Sequence, residues 1–170
     1  SESATPINTS SNPYTYSSGS ANTAYEFYVQ SVCDSEPDDS EFAGPFEFYT
    51  LPATPDIAST YEDCGAVTID DEVPSGETWY IQAASDSVST DYPTSTAEAS
   101  VSATYYVRAR GNSSGLWSSA KEITVTVNPY PAVPTSNAFS NLGTTSFRAN
   151  WSAADDATSY RLDVSTVSNF

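Results

Sequence analysis

Between Ala103 and Arg110 the side chains alternate with a period of two. Tyr105, Val107 and Ala109 fall on one face of an extended chain, and Tyr106, Arg108 and Arg110 fall on the other. Successive side chains of a strand point to opposite faces of its sheet, so this stretch predicts a strand with one apolar face. The period recurs around Trp79 in Glu77 to Gln82, and again in Ile123, Val125 and Val127. No stretch carries the 3.6-residue period of an amphipathic helix. Composition agrees: the 170 residues include 12 Tyr and 7 Phe but only 4 Leu. Aromatic and β-branched side chains fit a pleated, half-buried surface, whereas Leu favours helix. The expected class is all-β.

Proline sets the punctuation. Leu51-Pro52-Ala53-Thr54-Pro55 and Asn128-Pro129-Tyr130-Pro131-Ala132-Val133-Pro134 each hold Pro at short intervals. Pro lacks a ladder donor and stiffens the chain, so both clusters predict semi-rigid linkers. They divide the chain into 1–52, 53–129 and 130–170. In the middle piece, strands are expected at Ala66 to Ile69, Glu77 to Gln82, Thr96 to Ser102, Ala103 to Arg110 and from Leu116 to Val127. Turns at Pro74-Ser75-Gly76 and Gly111-Asn112-Ser113-Ser114-Gly115 separate them, a spacing that predicts a β-sandwich. The first piece ends in a hairpin: a strand bearing Tyr25, Phe27 and Val29 runs to Cys33, and Phe42 to Tyr49 returns. In the third, Ser146 to Trp151 and a following strand with Tyr160, Leu162 and Val164 flank a turn at Asp155-Asp156-Ala157-Thr158.

The charge balance is 5 basic against 22 acidic residues. Phosphate neutralisation needs a basic patch, so nucleic-acid binding is not expected, and an anionic membrane surface is disfavoured for the same reason. No apolar run approaches the ~20 residues of a spanning helix, so membrane insertion is not expected. His is absent, which removes the commonest general base and the commonest neutral metal ligand. The acidic surface repels itself and favours solubility.

All three pieces carry a family resemblance. Thr145-Ser146-Phe147-Arg148-Ala149-Asn150-Trp151 followed by Ala157 to Ser165 resembles the first strands of a fibronectin type III domain, whose core Trp corresponds to Trp151. Residues 1–52 resemble the other end of that fold: Asn22 to Val29 matches the strand with the tyrosine corner at Tyr25, and Gly44 to Thr50 matches the closing strand. Gly19 departs from the Leu usual before the corner. The middle piece is similar to immunoglobulin-like modules through Cys64 to Thr68, Thr78 to Gln82, Thr104 to Arg110 and Gly115-Leu116-Trp117-Ser118, with Leu116 where relatives often carry Cys. Such modules occur in large secreted or surface, adhesin-like proteins of the Bacteroidetes group. The resemblance implies tandem Ig-like and fibronectin type III β-sandwiches: one complete central module flanked by two partial ones.

Each candidate site has a structural reading beside it. Cys33 and Cys64 lie 31 residues apart with no C-x-x-C spacing; they form one disulfide, or each stays unpaired or pairs outside these residues. Asp38-Asp39, Asp70-Asp71-Glu72 and Asp155-Asp156 offer oxygens for Ca²⁺, but none has the calcium-loop pattern and Asp is a natural turn residue. Paired carboxylates across a deep cleft would suit glycoside hydrolysis; a module of this size spends its interior on one core, so no enzyme is expected. Tyr14, Tyr16, Tyr28, Tyr80 and Tyr106 could present faces to glycans, although cross-strand Tyr pairs also stabilise a sheet without a ligand. Trp79 and Trp151 are expected in cores. Asp86-Ser87-Val88 resembles the Asp-Ser/Thr-aliphatic signal for O-linked glycans, with Ser87 as acceptor. Asn8, Asn112 and Asn150 head N-x-S/T triplets.

Together these readings predict an extracellular or cell-surface, secreted segment with a structural role: a stalk, fibre or adhesin shaft without cofactor, whose partners are neighbouring sandwiches. The alternative is an accessory glycan- or protein-binding module of a secreted enzyme. Residues 1–52 and 130–170 each look like half a sandwich. Three completions are open: a longer polypeptide continuing past Ser1 and Phe170, strand completion between successive copies, or a permuted fold within one chain.

Overall fold

A computed structural model of the chain describes residues 6–33, 39–69, 71–95 and 98–166. Among them the chain is all-β, with ten strands and no helix. They are β1 (Ala24–Val29), β2 (Ala43–Tyr49), β3 (Thr60–Cys64), β4 (Val67–Thr68), β5 (Glu77–Gln82), β6 (Glu98–Ala99), β7 (Ala103–Gly111), β8 (Lys121–Asn128), β9 (Ser136–Ser140) and β10 (Arg148–Trp151). Four sheets result: β1-β2, β4-β6, β10-β9, and a four-stranded sheet in the order β3-β8-β7-β5. All pairings are antiparallel except that β3 runs parallel to β8.

The core lies entirely in the central piece. Trp79 and Ile81 of β5, Val107 and Ala109 of β7, and Ile123 and Val125 of β8 meet Val67 of β4, Ile69, Ala99 of β6 and Ile57. The period of two places these residues: on β8 Ile123 and Val125 are buried while Glu122, Thr124 and Thr126 are exposed. The four-stranded and two-stranded sheets close on one cluster, an arrangement consistent with a β-sandwich. β5 spans the residues expected of it around Trp79, and β7 buries the expected face. The weak alternation from Thr96 to Ser102 yields only the two-residue β6. Thr96 and Ala97 lie outside the described residues. Leu116 and Trp117 do not open β8; Trp117 instead forms an isolated bridge to Arg110, and β8 begins at Lys121.

The two Pro clusters differ. Pro52 and Pro55 are buried, and the adjoining Ile57 is part of the central core, so the first cluster is no free linker. Residues 129–134 are exposed throughout, as a linker should be. Even there Tyr130 is seated: its ring covers Gly65, which has φ +80° and where a Cβ would overlap the ring. Gly65 thus meets two demands that only glycine satisfies, a left-handed backbone and a close approach.

The first and third pieces are single hairpins. In β1-β2 the register slips after Phe27, so Gly44 and Pro45 together oppose Tyr28. That is a bulge, and it explains both residues: Gly44 takes φ +133°, and Pro45 sits where no ladder donor is needed. β1 therefore ends at Val29 and does not continue to Cys33. In the third piece β10 covers Arg148–Trp151 of the expected Ser146 to Trp151, but Tyr160 to Val164 pair with no described strand. Without a neighbouring strand their alternating side chains stay in solvent: Leu162 is 57% and Val164 66% exposed.

Candidate functional site

Three aromatic clusters stand out. The first is one face of the β1-β2 hairpin. Tyr25 opposes Phe48 and Phe27 opposes Phe46 in register. The rings stack at 5.8 Å and 4.8 Å, with Phe27 edge-on to Phe48 and Tyr16 edge-on to Tyr25. The Tyr25 hydroxyl accepts the Ser20 N–H at 2.7 Å, and the ring lies over Gly19. Thr50 Oγ1 donates to the Ser20 carbonyl at 2.6 Å and accepts the Thr23 N–H at 3.0 Å. The base of the hairpin is thus pinned by local hydrogen bonds, while Phe27, Phe46 and Phe48 remain roughly half exposed. The opposite face is acidic: Glu26 stands directly across from Glu47. The Tyr28 hydroxyl donates to Glu26 Oε2 at 3.0 Å, and this bond, with the nearby negative charge, raises the phenol above its ordinary pKa.

The second cluster is a groove of about 330 Å³ in the third piece, walled by Phe139, Phe147, Trp151, Tyr160 and Leu162. The β9 strand bulges at Ala138 and Phe139, and Asn150 Nδ2 fills the gap by donating to the Ala138 carbonyl at 2.7 Å and to Ser140 Oγ at 3.1 Å. The Tyr160 hydroxyl accepts the Ala154 N–H at 2.8 Å and its ring tilts against Trp151 at 5.6 Å. Trp151, expected in a core, is 38% exposed, because among the described residues no second sheet lies against β9 and β10. Arg161 lines the groove and makes an exposed ion pair with Asp163 at 3.4 Å.

The third cluster covers the outer face of β5 and β7. The guanidinium of Arg108 lies 5.4 Å, and that of Arg110 5.9 Å, from the Trp117 ring, and the Tyr80 ring is tilted against it at 5.3 Å. Arg108 donates through Nε to the Ser118 carbonyl and through Nη1 to the Ser87 carbonyl. This stack closes the chain between β7 and β8 and holds the loop after β5. It works as a structural clamp. The sequence showed Arg108 and Arg110 on one face of a strand; a Trp seven residues past Arg110 was the available signal for the stack, and it was missed.

Other residues singled out in the sequence disperse. Cys33 and Cys64 are both exposed free thiols, so the structure does not join them in a disulfide. Among the described residues no three acidic or thiol groups converge on a metal position; Asp38 and Asp70 lie outside the described residues. Asp71 accepts the Tyr61 hydroxyl at 2.5 Å. Burial first, then that bond, raise the Tyr61 phenol far above its usual pKa. Ser87 is half-buried, and its Oγ accepts the Ser89 N–H at 3.2 Å. Asn150 spends its amide nitrogen within the β9 bulge. Tyr14, Tyr16 and Tyr28 are exposed as expected, whereas Tyr80 and Tyr106 are half-buried. Comparison with protein-family models, curated proteins and solved structures finds no match to this chain.

Proposed function

We propose that this chain is a structural segment of an extracellular, multi-module surface protein, a stalk, fibre or adhesin shaft whose role is spacing and not chemistry. The observation that carries this reading is the packing at the junctions. Asn22, at the foot of the first hairpin, donates from Nδ2 to the Gly76 carbonyl of the central piece at 3.1 Å. Pro52 and Pro55 are buried at the junction, and Tyr130 caps Gly65 on leaving the central piece. Contacts of this kind hold successive β units in a set relation, which a spacer needs and an independent binding module does not.

The finer architecture in this proposal is Ig-like at the centre and fibronectin type III-like at the flanks. Several features support it. Trp79 is buried on β5. The Tyr105 hydroxyl donates to the Val101 carbonyl at 3.1 Å, the geometry of a tyrosine corner. Val107, two residues after that Tyr, and Val67 occupy the core positions where antibody domains place a disulfide. The test is small-angle scattering of the chain beside a variant in which Pro52, Pro55 and Asn22 are replaced by Ser. A stiff particle that loosens measurably in the variant is the expected result. Identical profiles, or specific binding on a glycan array, overturn the shaft reading.

A further inference from the structure

Asn22 has a left-handed backbone, φ +48°, in the turn before β1. Asn tolerates that region better than most residues. Its backbone N–H donates to the Leu51 carbonyl at 3.0 Å. The residue is therefore fixed to the first piece, beside the point where the chain crosses to the centre at Pro52. Its side chain reaches into the central piece. Nδ2 donates to the Gly76 carbonyl at 3.1 Å, and the same carbonyl accepts the Asn112 N–H at 2.9 Å. A carbonyl oxygen has two lone pairs, so both donors are satisfied.

Glycines form the receiving surface. Gly76 ends the turn into β5 and Gly111 ends β7, and the pairing of Glu77 with Gly111 sets them side by side at one end of the four-stranded sheet. Gly111 is buried, and a Cβ there would overlap Asn22 Oδ1 and Ser114 Oγ. Its backbone is not left-handed, so the position needs glycine for room and not for conformation. The second junction lies at the opposite end: β8 runs antiparallel to β7 and finishes at Asn128 beside Cys64, next to the Gly65 that Tyr130 covers. The chain thus enters the central piece at one end and leaves it at the other.

We propose that Asn22 is the pin of a fixed joint: its amide, lodged between Gly76 and Gly111, stops the first piece from turning about the Leu51–Pro52 connection. Neighbouring domains move relative to one another by default unless a large apolar interface holds them; here a second point of attachment does so with one side chain. The inference deepens the spacer reading and rests on it for its purpose, since a shaft keeps its direction only if its joints do not swivel.

Distances between two spin labels on the full chain test it. One label is placed on Cys64, an exposed thiol of the central piece, and the other on Glu47→Cys in the exposed strand β2, with Cys33→Ser removing the remaining thiol. A single narrow distance distribution is expected. Asn22→Gly keeps the left-handed turn and removes the amide; it is expected to widen the distribution on the order of twofold, with the urea unfolding of the central piece unmoved. Gly111→Ala fills the socket from the other side and is expected to widen it to a similar extent. Because that Cβ also crowds Ser114, the double variant decides: changes that break one contact do not add, whereas independent changes do. A distribution already broad in the parent, one that stays narrow in Asn22→Gly, widening that comes with a destabilised centre, or additive widening in the double variant overturns the pin. If the pin fails while scattering still shows a stiff particle, this inference falls alone; if the pin holds while the glycan array shows specific binding, the spacer reading falls alone.

Discussion

The central piece and its two flanks are written in the same alphabet of alternating aromatic and β-branched residues, yet only the centre has an interior. Trp79 on β5 and Trp151 on β10 make the contrast concrete. Both sit on antiparallel strands with apolar neighbours two positions away. Trp79 is 5% exposed because β4 and β6 lie as a second layer against its sheet, and Trp151 is 38% exposed because among the described residues no second sheet lies against β9 and β10. A strand's pattern says which face seeks cover; a second sheet decides whether it finds it.

Truncating a buried aromatic costs about 3–5 kcal/mol, and truncating one that water already reaches costs far less. Trp79→Ala is therefore expected to remove about 3–5 kcal/mol from the unfolding free energy of the central piece. Phe27→Ala, measured on dilute monomer, is expected to change it by less than about 1 kcal/mol. Urea titration followed by Trp fluorescence reads both. Equal losses would mean that the hairpin already shares the central core and would erase the contrast.

The junction can be tested next. A non-glycine residue in the left-handed region costs about 1–3 kcal/mol, and at Gly65 the new Cβ must also displace the Tyr130 ring. Gly65→Ala is expected to lower stability within that range and to free Tyr130. Gly65→Ala combined with Tyr130→Ala should recover only the displacement part, leaving the backbone part. Full recovery would locate the whole effect in the ring and none in the backbone.

Much of this contrast was legible in the sequence. The period of two located β5, β7 and β8 and assigned the buried face of each, because strand periodicity is a local property of the chain. The same locality is why Trp151 was expected in a core: its neighbours Phe147 and Ala149 carry the right pattern, but a missing opposite layer leaves no mark on them. Tyr160 to Val164 failed as a strand for the same reason, since a ladder needs a partner that alternation cannot supply. Pro52 and Pro55 were read as linker from composition, and their burial depends on the apolar surface around Ile57 that the fold brings against them. The Arg108–Trp117–Arg110 stack was hidden because its members come together only when β7 turns back through Gly111 to Gly115.

Two tyrosine hydroxyls offer a smaller comparison. Tyr105 reaches the Val101 carbonyl from a half-buried ring, and Tyr25 accepts the Ser20 N–H on an exposed hairpin. A protein hydrogen bond contributes a net ~0.5–1.5 kcal/mol, less where water can replace it. Tyr105→Phe is expected to cost about 1 kcal/mol in the same urea experiment, and Tyr25→Phe a few tenths at most. A larger loss for Tyr25 would show that the hairpin base, and not the corner of the central piece, is the better-ordered site.

The smallest effect separates two raised phenols by cause. Tyr61 in the central piece is raised chiefly by burial, then by its bond to Asp71; Tyr28 on the hairpin is raised chiefly by its bond to Glu26. For Tyr61 the folded-state pKa lies above the unfolded value near 10, so the folded chain keeps that proton longer than the unfolded one. The stability linked to it is fully present below pH ~10 and declines as pH rises from there through the folded-state pKa. In a spectrophotometric titration Tyr61 should ionise last and release its proton as the central piece unfolds. Tyr61→Phe should delete that final step and flatten the alkaline loss of stability. Glu26→Gln should return Tyr28 toward its ordinary pKa and leave the unfolding curve of the central piece unmoved, because the bond that raises this half-exposed phenol is made within the hairpin, to a residue two positions away, and not to the central core. If Glu26→Gln instead shifted the alkaline unfolding midpoint, the hairpin would be part of the cooperative unit, and the division between covered centre and uncovered flank would fail at that edge.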